Sequence, residues 1–301
     1  MKNYSFYILL YFEKKFNKYI GSKHCVTVNS GTSALHLALS LADVKNREVI
    51  LPSMSFVSTA HAVLYNGGIP VIADVEPKSL CLDINSIEKL ITKRTKVILP
   101  VHFAGKACEM DDISNLAKKN KLLIIEDCAH AIGTRYKKKH VGNFGIAGCF
   151  SFYPTKNITT IEGGMIVTNS KVIADYVSTA RNHGITKTLS QRYSHGKPWD
   201  YEMSEPGYNY RLDEVRSSLG SNQLKRITKL NSLRKKAFEH YNKGLEKISG
   251  IITPSVSKQN TDAYHLYIVR IEKKSGITRD ELFKKLLQRG IRTTVHYKPL
   301  H

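Results

Sequence analysis

The stretch HCVTVNSGTSALHLALSLA, residues 24–42, passes from one secondary-structure pattern to another within a few residues. Its first five residues are mostly apolar and β-branched, which is typical of a buried strand. The remainder repeats leucine and alanine at helical spacing, and Ser30 or Asn29 can cap the start of that helix. Gly31, at the junction, lets the backbone approach a ligand closely. The stretch therefore predicts one strand–helix unit of an α/β sheet.

The same alternation continues along the first half of the chain. Further short apolar strands are predicted at 48–52, 69–75, 95–103 and 121–127, and on either side of 150–164. Strands that are apolar throughout and alternate with helices predict a mainly parallel sheet that is buried on both faces. The expected fold class is therefore α/β.

The C-terminal part has a different pattern. A long helical pattern covers about residues 213–245, followed by a predicted strand at 263–271, a helix at 279–290 and a strand at 291–297. We therefore expect two domains, a large one at residues 1–230 and a small α/β one at residues 231–301.

The charge balance of the 301-residue chain is strongly basic: 46 lysines and arginines against 25 aspartates and glutamates give a net charge of +21. Such an excess can attract nucleic acid or any anionic ligand. The basic residues form small clusters along the whole chain, without a dense tail or interleaved aromatic residues. The sequence therefore favours a solvated basic surface, and we expect no nucleic-acid partner.

The cysteines and the apolar segments indicate the compartment. The five cysteines are scattered and include no CxxC pair, which argues against a disulfide framework and against a zinc site. No apolar segment is long enough to span a membrane. The start, MKNYSFYILLYFEKKF, weakly resembles a secretory signal, but no small-residue cleavage site follows. We expect a cytoplasmic protein.

Two features that could carry chemistry lie where predicted strands end, which is where ligands bind in parallel sheets. In NSGTSAL, the Thr32 and Ser33 hydroxyls and the free N–H groups of a helix start could bind a phosphate. In IIEDCAHA, Asp127 ends an apolar strand and needs a cation or donors if it is buried, with His130 three residues on. A ligand-free helix cap remains the alternative for the first, and a cap or a fragment of a metal site for the second.

The third feature is Lys156 in FSFYPTKNITTIEGG, residues 150–164. It lies in a turn between two apolar strands, and desolvation can lower the pKa of such a lysine until it becomes a nucleophile. A solvated turn lysine is the ordinary alternative. A phosphate cradle, a strand-end carboxylate and a lysine on a rigid turn together match pyridoxal phosphate, whose phosphate, ring nitrogen and aldehyde need these three partners.

Six segments, in this order, resemble the sugar aminotransferases of the DegT/DnrJ/EryC1/StrS family over almost the whole chain, from about Tyr11 to His301. They are VNSGTSALHLALSL, LPSMSFVSTAHAVLYNGGIPVIADV, IIEDCAHAIGTRYKKKHVGNFG, CFSFYPTKNITTIEGGMIVTN, GYNYRLDEVRSSLGSNQLKRI and RDELFKKLLQRGIRTTVHYKPLH. The resemblance implies the type I aspartate-aminotransferase fold, with a three-layer α/β/α large domain that binds pyridoxal phosphate and a small C-terminal domain. It also implies a homodimer with shared active sites.

The resemblance also implies roles for individual residues. Lys156, to which the cofactor attaches, and Asp127, the partner of the ring nitrogen, would be the catalytic residues. The other implied cofactor contacts are His130 at the phenolic oxygen, Phe56 on the ring face, Thr32, Ser33 and Ser151 at the phosphate, and the partner subunit's Asn209, also at the phosphate. The implied residues on the substrate side are Tyr210, Arg211, His296 and His301.

The implied reaction moves an amine from an amino acid to the keto carbon of a nucleotide-linked keto-sugar. The expected donor is L-glutamate, which leaves as 2-oxoglutarate, and the expected setting is synthesis of lipopolysaccharide or another surface glycan. The same residues would serve amination of a cyclic polyol ketone. A truncated, non-catalytic relative is the alternative of a different class.

The sequence departs from the family pattern in two respects. Ile161 stands where the family commonly has a glycine before EGG. Relatives also have sequence before and after the matched region, so the small domain is expected to be incomplete relative to the family.

Overall fold

The first helix of the chain is amphipathic. The computed structural model describes residues 7–187, 192, 199–257 and 259–301, so the first six residues of the signal-like start lie outside the described residues. Helix α1 (Tyr7–Ile20) buries Leu9, Phe12, Phe16 and Ile20 on one face, which is the spacing of a helix that packs on a core. No helix in the described ranges is long and apolar enough to cross a membrane.

Short strands form one large sheet and two small ribbons. The strands are β1 (His24–Val28), β2 (Glu48–Pro52), β3 (Ile69–Ala73), β4 (Thr95–Ile98), β5 (Leu123–Asp127), β6 (Arg135–Tyr136), β7 (Lys139–His140), β8 (Ala147–Ser151), β9 (Gly164–Thr168), β10 (Ile251–Ile252) and β11 (Arg270–Ile271). The large sheet has the order β1-β9-β8-β5-β4-β2-β3. Its neighbouring strands are parallel, except that β9 is antiparallel to both β1 and β8. The prediction of a mainly parallel sheet is therefore confirmed.

Helices cover both faces of this sheet. The helices after α1 are α2 (Gly31–Leu41), α3 (Val57–Tyr65), α4 (Ile84–Leu90), α5 (Met110–Lys119), α6 (Lys171–Ala180), α7 (Glu214–Lys225), α8 (Ile227–Leu245) and α9 (Arg279–Gln288). The last of them, α9, buries no residue and does not belong to these layers. Phe12 of α1 and Ile113 of α5 belong to one hydrophobic core cluster. Leu35 of α2 and Val177 of α6 belong to a second cluster, on the opposite face. This arrangement confirms the predicted three-layer α/β/α architecture.

The predicted strand at 263–271 is mostly wrong. Only Arg270–Ile271 forms a strand, paired with Ile251–Ile252. The backbone N–H of Ala263 instead donates to Gly105 O at 2.9 Å, and that of His265 donates to Ala104 O at 3.0 Å. Alternating apolar residues show which side of a segment is buried, but they do not supply a neighbouring strand.

Two other predictions about the C-terminal part need correction. Residues 291–297, predicted as a strand, form no ladder within the described residues and are largely exposed. The helical pattern at 213–245 is two helices, because the chain kinks at Arg226, whose N–H donates to Gln223 O at 3.0 Å. The predicted helix at 279–290 is confirmed, and it begins with a capping box formed by Thr278 and Glu281.

The sheet determines where the functional residues meet. Because β1, β2, β5 and β8 run in the same direction, their carboxyl ends lie at one edge. The chain leaves β8 after Ser151, makes the turn that contains Lys156, and returns antiparallel as β9 from Gly164, with Ser151 and Gly164 paired. This hairpin brings the turn to the same edge as Asp127, the last residue of β5.

Candidate active site

The start of α2 presents free donors at this edge. Ser30 is the N-cap, and its Oγ accepts from Ser33 N at 3.0 Å. The N–H groups of Gly31 and Thr32, the first two of the helix, have no acceptor within the described residues, as is usual for the first helical turn. A Cβ added at Gly31 would lie 2.8 Å from Cβ of Ser151. Glycine therefore allows the helix start and Ser151 to share one small space.

The Ser33 hydroxyl takes part in the hydrogen bonds that cap the start of α2. It donates to Asn29 Oδ1 at 2.6 Å and lies 2.8 Å from Ser30 Oγ. The hydroxyl proton is therefore directed to Asn29. Of the two hydroxyl residues predicted at this position, the structure leaves Thr32 partly exposed and buries Ser33.

Asp127 is a buried carboxylate with two hydrogen-bond donors. Oδ1 accepts from Ala129 N at 3.0 Å, and Oδ2 accepts from the Thr59 hydroxyl at 2.9 Å. Burial raises the pKa of Asp127, while these two hydrogen bonds and the charge of Lys156 oppose the increase without cancelling it. A carboxylate in such surroundings is ready to pair with a cation that enters the cleft.

Thr59 was not among the residues predicted from the sequence. It lies on α3, three residues after Phe56, and is fully buried. Its Oγ1 also lies 2.6 Å from Ser55 Oγ, so the two hydroxyls form a chain that ends on Asp127. The sequence SFVST, residues 55–59, could have indicated this pair of hydroxyls, because Ser55 and Thr59 are four residues apart and share one side of the helix start.

Lys156 occupies the turn between β8 and β9 and is half-buried. Its backbone N–H donates to Tyr153 O at 2.9 Å. Its Nζ forms no hydrogen bond or ion pair within the part of the chain that the structure describes. Burial lowers the pKa of Lys156 from the usual 10.5 to about 8, and the charge of Asp127 only partly offsets this effect. A substantial fraction of the amine is therefore neutral near pH 8, as a nucleophile requires.

We expect that replacing Lys156 by methionine stabilises the cofactor-free protein near neutral pH. A pKa lowered from 10.5 to about 8 corresponds to at most about 3.5 kcal/mol, since one unit is worth about 1.4 kcal/mol. Between these two pKa values the unfolded chain holds a proton that the folded protein has lost, so wild-type stability rises with pH there. The free energy of unfolding of the variant should therefore exceed that of the wild type by the full amount below pH 8, and the difference should shrink above that pH.

Urea unfolding at about pH 7 and about pH 9.5 measures this difference. The exposed Lys171, which pairs with Asp175 on α6, provides the matched control, and Lys171→Met should change stability little. If Lys156→Met stabilised the protein equally at both pH values, the desolvated amine would not be the cause.

His130, three residues after Asp127, is buried. Its Nδ1 accepts from Ala104 N at 3.3 Å, so its Nε2 carries the proton and faces the hydroxyl oxygen of Tyr297 at 3.1 Å. Burial, with smaller contributions from the Lys156 and histidine charges around it, lowers the pKa of His130 well below the usual value. His130 is therefore a neutral donor at physiological pH.

Two aromatic residues border the cleft. Phe56 immediately precedes α3, and its side chain is 56% exposed. Its ring centroid lies 5.9 Å from that of Tyr297. Burial, together with the charge of Asp127, raises the pKa of Tyr297 to about 12, so its hydroxyl stays protonated. Tyr297 was not predicted from the sequence, although it directly follows the predicted His296.

Residues 209–211 lie beside the start of α2. The Asn29 side chain donates to Asn209 O at 3.3 Å, and Asn29 N donates to Tyr210 O at 2.8 Å. The Asn209 residue is exposed. The Tyr210 hydroxyl lies 3.0 Å from His36 Nδ1, and Arg211 donates to Asn182 Oδ1 at 3.0 Å. Within this chain, Tyr210 and Arg211 thus pack on neighbouring elements.

The last segment of the chain returns to the cleft. Burial, and then the charge of Lys156, lower the pKa of His296. Leu300 N donates to Ser53 O at 3.0 Å, just after β2. Of the two predicted histidines, His296 is partly buried with its ring centroid 4.8 Å from that of Tyr297, whereas His301 is exposed to solvent.

A buried cluster of His102, Glu126 and Cys128, the last two next to Asp127 in the chain, has spacing that could hold a metal ion. The Glu126 carboxylate, however, accepts from His102 Nε2 at 3.1 Å and from three backbone N–H groups of residues 142–145. Burial acts to raise the pKa of Glu126, but these donors lower it overall. The cluster therefore satisfies its own hydrogen bonds and braces the end of β5.

Ile161 lies on the return side of the Lys156 turn with a φ of 70°. This left-handed conformation is unfavourable for a β-branched residue and is open to glycine. The Thr159 hydroxyl accepts from Ile161 N at 2.8 Å and helps to hold it. The conformation gives a physical reason for the glycine that is common here in the family.

The sequence profile of the DegT/DnrJ/EryC1/StrS aminotransferase family matches residues 8–301. The chain belongs to this family. The aminotransferase is 40% identical over 293 residues to the spore coat polysaccharide biosynthesis protein SpsC of Bacillus subtilis, in a match that covers 96% of this chain and 75% of SpsC. The predicted family and the predicted transaminase activity are confirmed.

Solved structures agree with this assignment. Helicobacter pylori PseC, an aminotransferase involved in the biosynthesis of pseudoaminic acid, is 33% identical and superposes with a TM-score of 0.89, covering 97% of this chain and 77% of PseC. The putative sugar aminotransferase Spr1654 of Streptococcus pneumoniae, in its PMP form, is 29% identical with a TM-score of 0.90, covering 97% of this chain and 79% of Spr1654. Pyridoxal phosphate is the cofactor of the aminotransferase.

The geometry of the aminotransferase fits this cofactor. Free N–H groups at the start of α2 suit a phosphate, and the Asp127 carboxylate suits a protonated ring nitrogen. The amine of Lys156 has a pKa lowered to about 8 and interacts with the charge of Asp127. The Nε2 donor of His130 suits a phenolate oxygen. Each of these groups thus has a complementary partner on pyridoxal phosphate.

Proposed function

We propose that this aminotransferase moves the amino group of L-glutamate to the keto carbon of a nucleotide-linked keto-sugar. The observation that carries the proposal is the meeting of Lys156 and Asp127 at one edge of the sheet, each affecting the pKa of the other. The names of its relatives support the sugar: SpsC is a spore coat polysaccharide biosynthesis protein, and PseC acts in pseudoaminic acid biosynthesis.

Lys156 and Asp127 divide the chemistry between them. When bound, pyridoxal phosphate supplies an aldehyde that takes up an amine and a ring that accepts electrons from the adjacent carbon. Lys156 would hold the cofactor through its amine and, once released, would move a proton on and off the substrate carbon. Asp127 would keep the ring nitrogen protonated, and Thr59 holds the carboxylate in place at 2.9 Å.

The remaining predicted residues would hold and orient the cofactor. Thr32 and Ser151 would surround the phosphate with the free N–H groups of the α2 start, Ser33 would contact it only by turning its hydroxyl away from Asn29, and Phe56 would cover the ring face. His130 would donate from Nε2 to the phenolic oxygen. We further propose a homodimer in which the partner subunit's Asn209 completes the phosphate site. The exposed side chain of this residue supports that role.

The substrate would reach the site from the side that is exposed to solvent. Tyr210, Arg211, His296 and His301 are the proposed contacts for it. The net charge of +21 would attract the anionic diphosphate of a nucleotide-sugar. We propose a division into a large cofactor domain, residues 1–230, and a small domain, residues 231–301.

We place the enzyme in the cytoplasm, in synthesis of lipopolysaccharide or another surface glycan. All five cysteines are free and buried, as a reducing compartment allows.

A substrate panel tests the proposed function. The purified protein, loaded with pyridoxal phosphate, is incubated with L-glutamate and either nucleotide-linked keto-sugars or a cyclic polyol ketone. We expect mass spectrometry to find the amine on a nucleotide-sugar, together with an equal amount of 2-oxoglutarate. Amination of the polyol ketone alone, or of no ketone by protein that holds its cofactor, would contradict the proposal.

A further inference from the structure

Asn157, the residue after Lys156, is buried, and both the nitrogen and the oxygen of its side-chain amide have hydrogen-bond partners. Its Nδ2 donates to Asn231 Oδ1 on α8 at 2.7 Å and to Ala263 O at 2.7 Å. Its Oδ1 lies 2.8 Å from His265 Nδ1. One amide thus ties the Lys156 turn to the long helix and to the segment that follows it.

The contact with His265 has a defined direction. A carboxamide oxygen only accepts, so Nδ1 of His265 must carry the proton and donate to Asn157. The backbone of His265 is also fixed, because its N–H donates to Ala104 O at 3.0 Å and its O accepts from Arg234 at 3.1 Å. Ala104 in turn donates its own N–H to His130 Nδ1.

The two imidazoles also contact each other directly. The ring centroids of His130 and His265 are 4.4 Å apart, with an angle of 35° between the ring planes. Asn157 and His265 therefore connect the backbone beside Lys156 with the ring of His130. Because Nζ of Lys156 has no hydrogen-bond partner within the described residues, the position of its amine depends on this backbone.

We propose that Asn157 and His265 are positioning residues, whose hydrogen bond holds the amine of Lys156 and the ring of His130 in one fixed arrangement. The proposal rests on the roles proposed above for Lys156 and His130. Neither Asn157 nor His265 needs to touch the reacting atoms. Loss of their hydrogen bond would free the turn and leave a buried acceptor unpaired.

The amine of Lys156 reports on this arrangement. The charge of Asp127 raises the pKa of this amine, and the charge of Lys156 in turn lowers the pKa of His130, His265 and His296. Burial, then the charges of Lys156 and other neighbours, lower the pKa of His265 to about 3, so it stays neutral in the working pH range. A loosened turn would expose the amine to water, and its pKa would rise from about 8 towards the usual 10.5.

Two substitutions at one position separate the hydrogen bond from the ring contact. His265→Phe keeps a ring against His130 but removes the donor to Asn157. His265→Asn loses the ring but returns an N–H group to nearly the position of Nδ1. His140→Asn is the matched control, because His140 is also a buried histidine with two hydrogen bonds but lies away from the cleft.

In the first measurement, the cofactor-free full chain is labelled competitively with acetic anhydride. Peptide mass spectrometry then measures how much of Lys156 is acetylated. We expect labelling at pH 8 to fall about fivefold in His265→Phe, the fall in neutral amine for a pKa rise of about one unit. His265→Asn and His140→Asn should stay within about twofold of wild type. The second measurement is kcat and KM of the loaded enzyme, with kcat about tenfold lower in His265→Phe alone.

Unchanged labelling in His265→Phe would overturn the proposal. Equal effects of His265→Phe and His265→Asn would also overturn it, because packing rather than the hydrogen bond would then be responsible. The labelling arm does not depend on the sugar substrate, so it gives a result even if the substrate panel fails.

Asn157→Asp, which cannot donate to Asn231 or Ala263 and adds a negative charge, should also reduce labelling at pH 8.

Discussion

Replacing Lys156 by alanine should lower the rate of amine transfer by at least about a thousandfold. The change removes both the amine that would hold the cofactor and the group that would move the substrate proton, and a positioned acid–base group alone contributes about 10² to 10⁴. Transfer is measured as 2-oxoglutarate formed from L-glutamate in the presence of the best nucleotide-sugar of the panel. Added alkylamines that restore part of the rate would support the proton-transfer role.

The control is Lys171→Ala, since Lys171 is an exposed lysine in an ion pair with Asp175 at 2.5 Å. This variant should keep the wild-type rate. If Lys156→Ala retained full activity while folding normally, Lys156 could have neither proposed role.

Replacing Asp127 by asparagine should lower amine transfer by about 10² to 10⁴ with little loss of structure, because a preorganised electrostatic partner commonly contributes this much. The amide oxygen can still accept from Ala129 N, and the amide N–H group can face Thr59 Oγ1, so both local contacts survive. The negative charge that would keep the cofactor ring protonated is lost.

The same substitution should change Lys156 in a predictable direction. The Asp127 charge raises the pKa of Lys156, so Asp127→Asn should lower it below about 8. Competitive labelling of the cofactor-free protein should then show a more reactive Lys156 near pH 7, although transfer has almost stopped. Asp175→Asn, on the exposed pair, should change neither quantity, and a Lys156 unaffected by Asp127→Asn would show that the two charges do not interact.

The sheet and its site could largely be predicted because both follow from local patterns. Apolar strands alternating with helices predict a parallel sheet, and parallel strands gather their carboxyl ends at one edge. This rule points to Asp127, Lys156 and the α2 start from the amino-acid sequence alone. Asn29 and Ser30 were both possible caps of α2, and the fold uses Ser30.

What could not be predicted depends on contacts between distant residues. Thr59 and Asp127 are 68 positions apart, and His130 and Tyr297 are 167 positions apart, so no local pattern links them. The segment 263–271 alternates like a strand, but its N–H groups find acceptors at Ala104 and Gly105. Periodicity shows the buried side of a segment, while its hydrogen-bond partners depend on the rest of the fold.

The assembly of the cleft from distant segments has a consequence for the amount of enzyme in a cell. The groups proposed to face the cofactor come from the ends of β1, β5 and β8, so an unfolded chain should have no affinity for it beyond that of a free amine. A ligand that binds only the folded state stabilises it by about 2.7 kcal/mol at a hundred times its Kd. Vitamin B6 supply should therefore control the abundance of the protein through its degradation rate, as well as its activity.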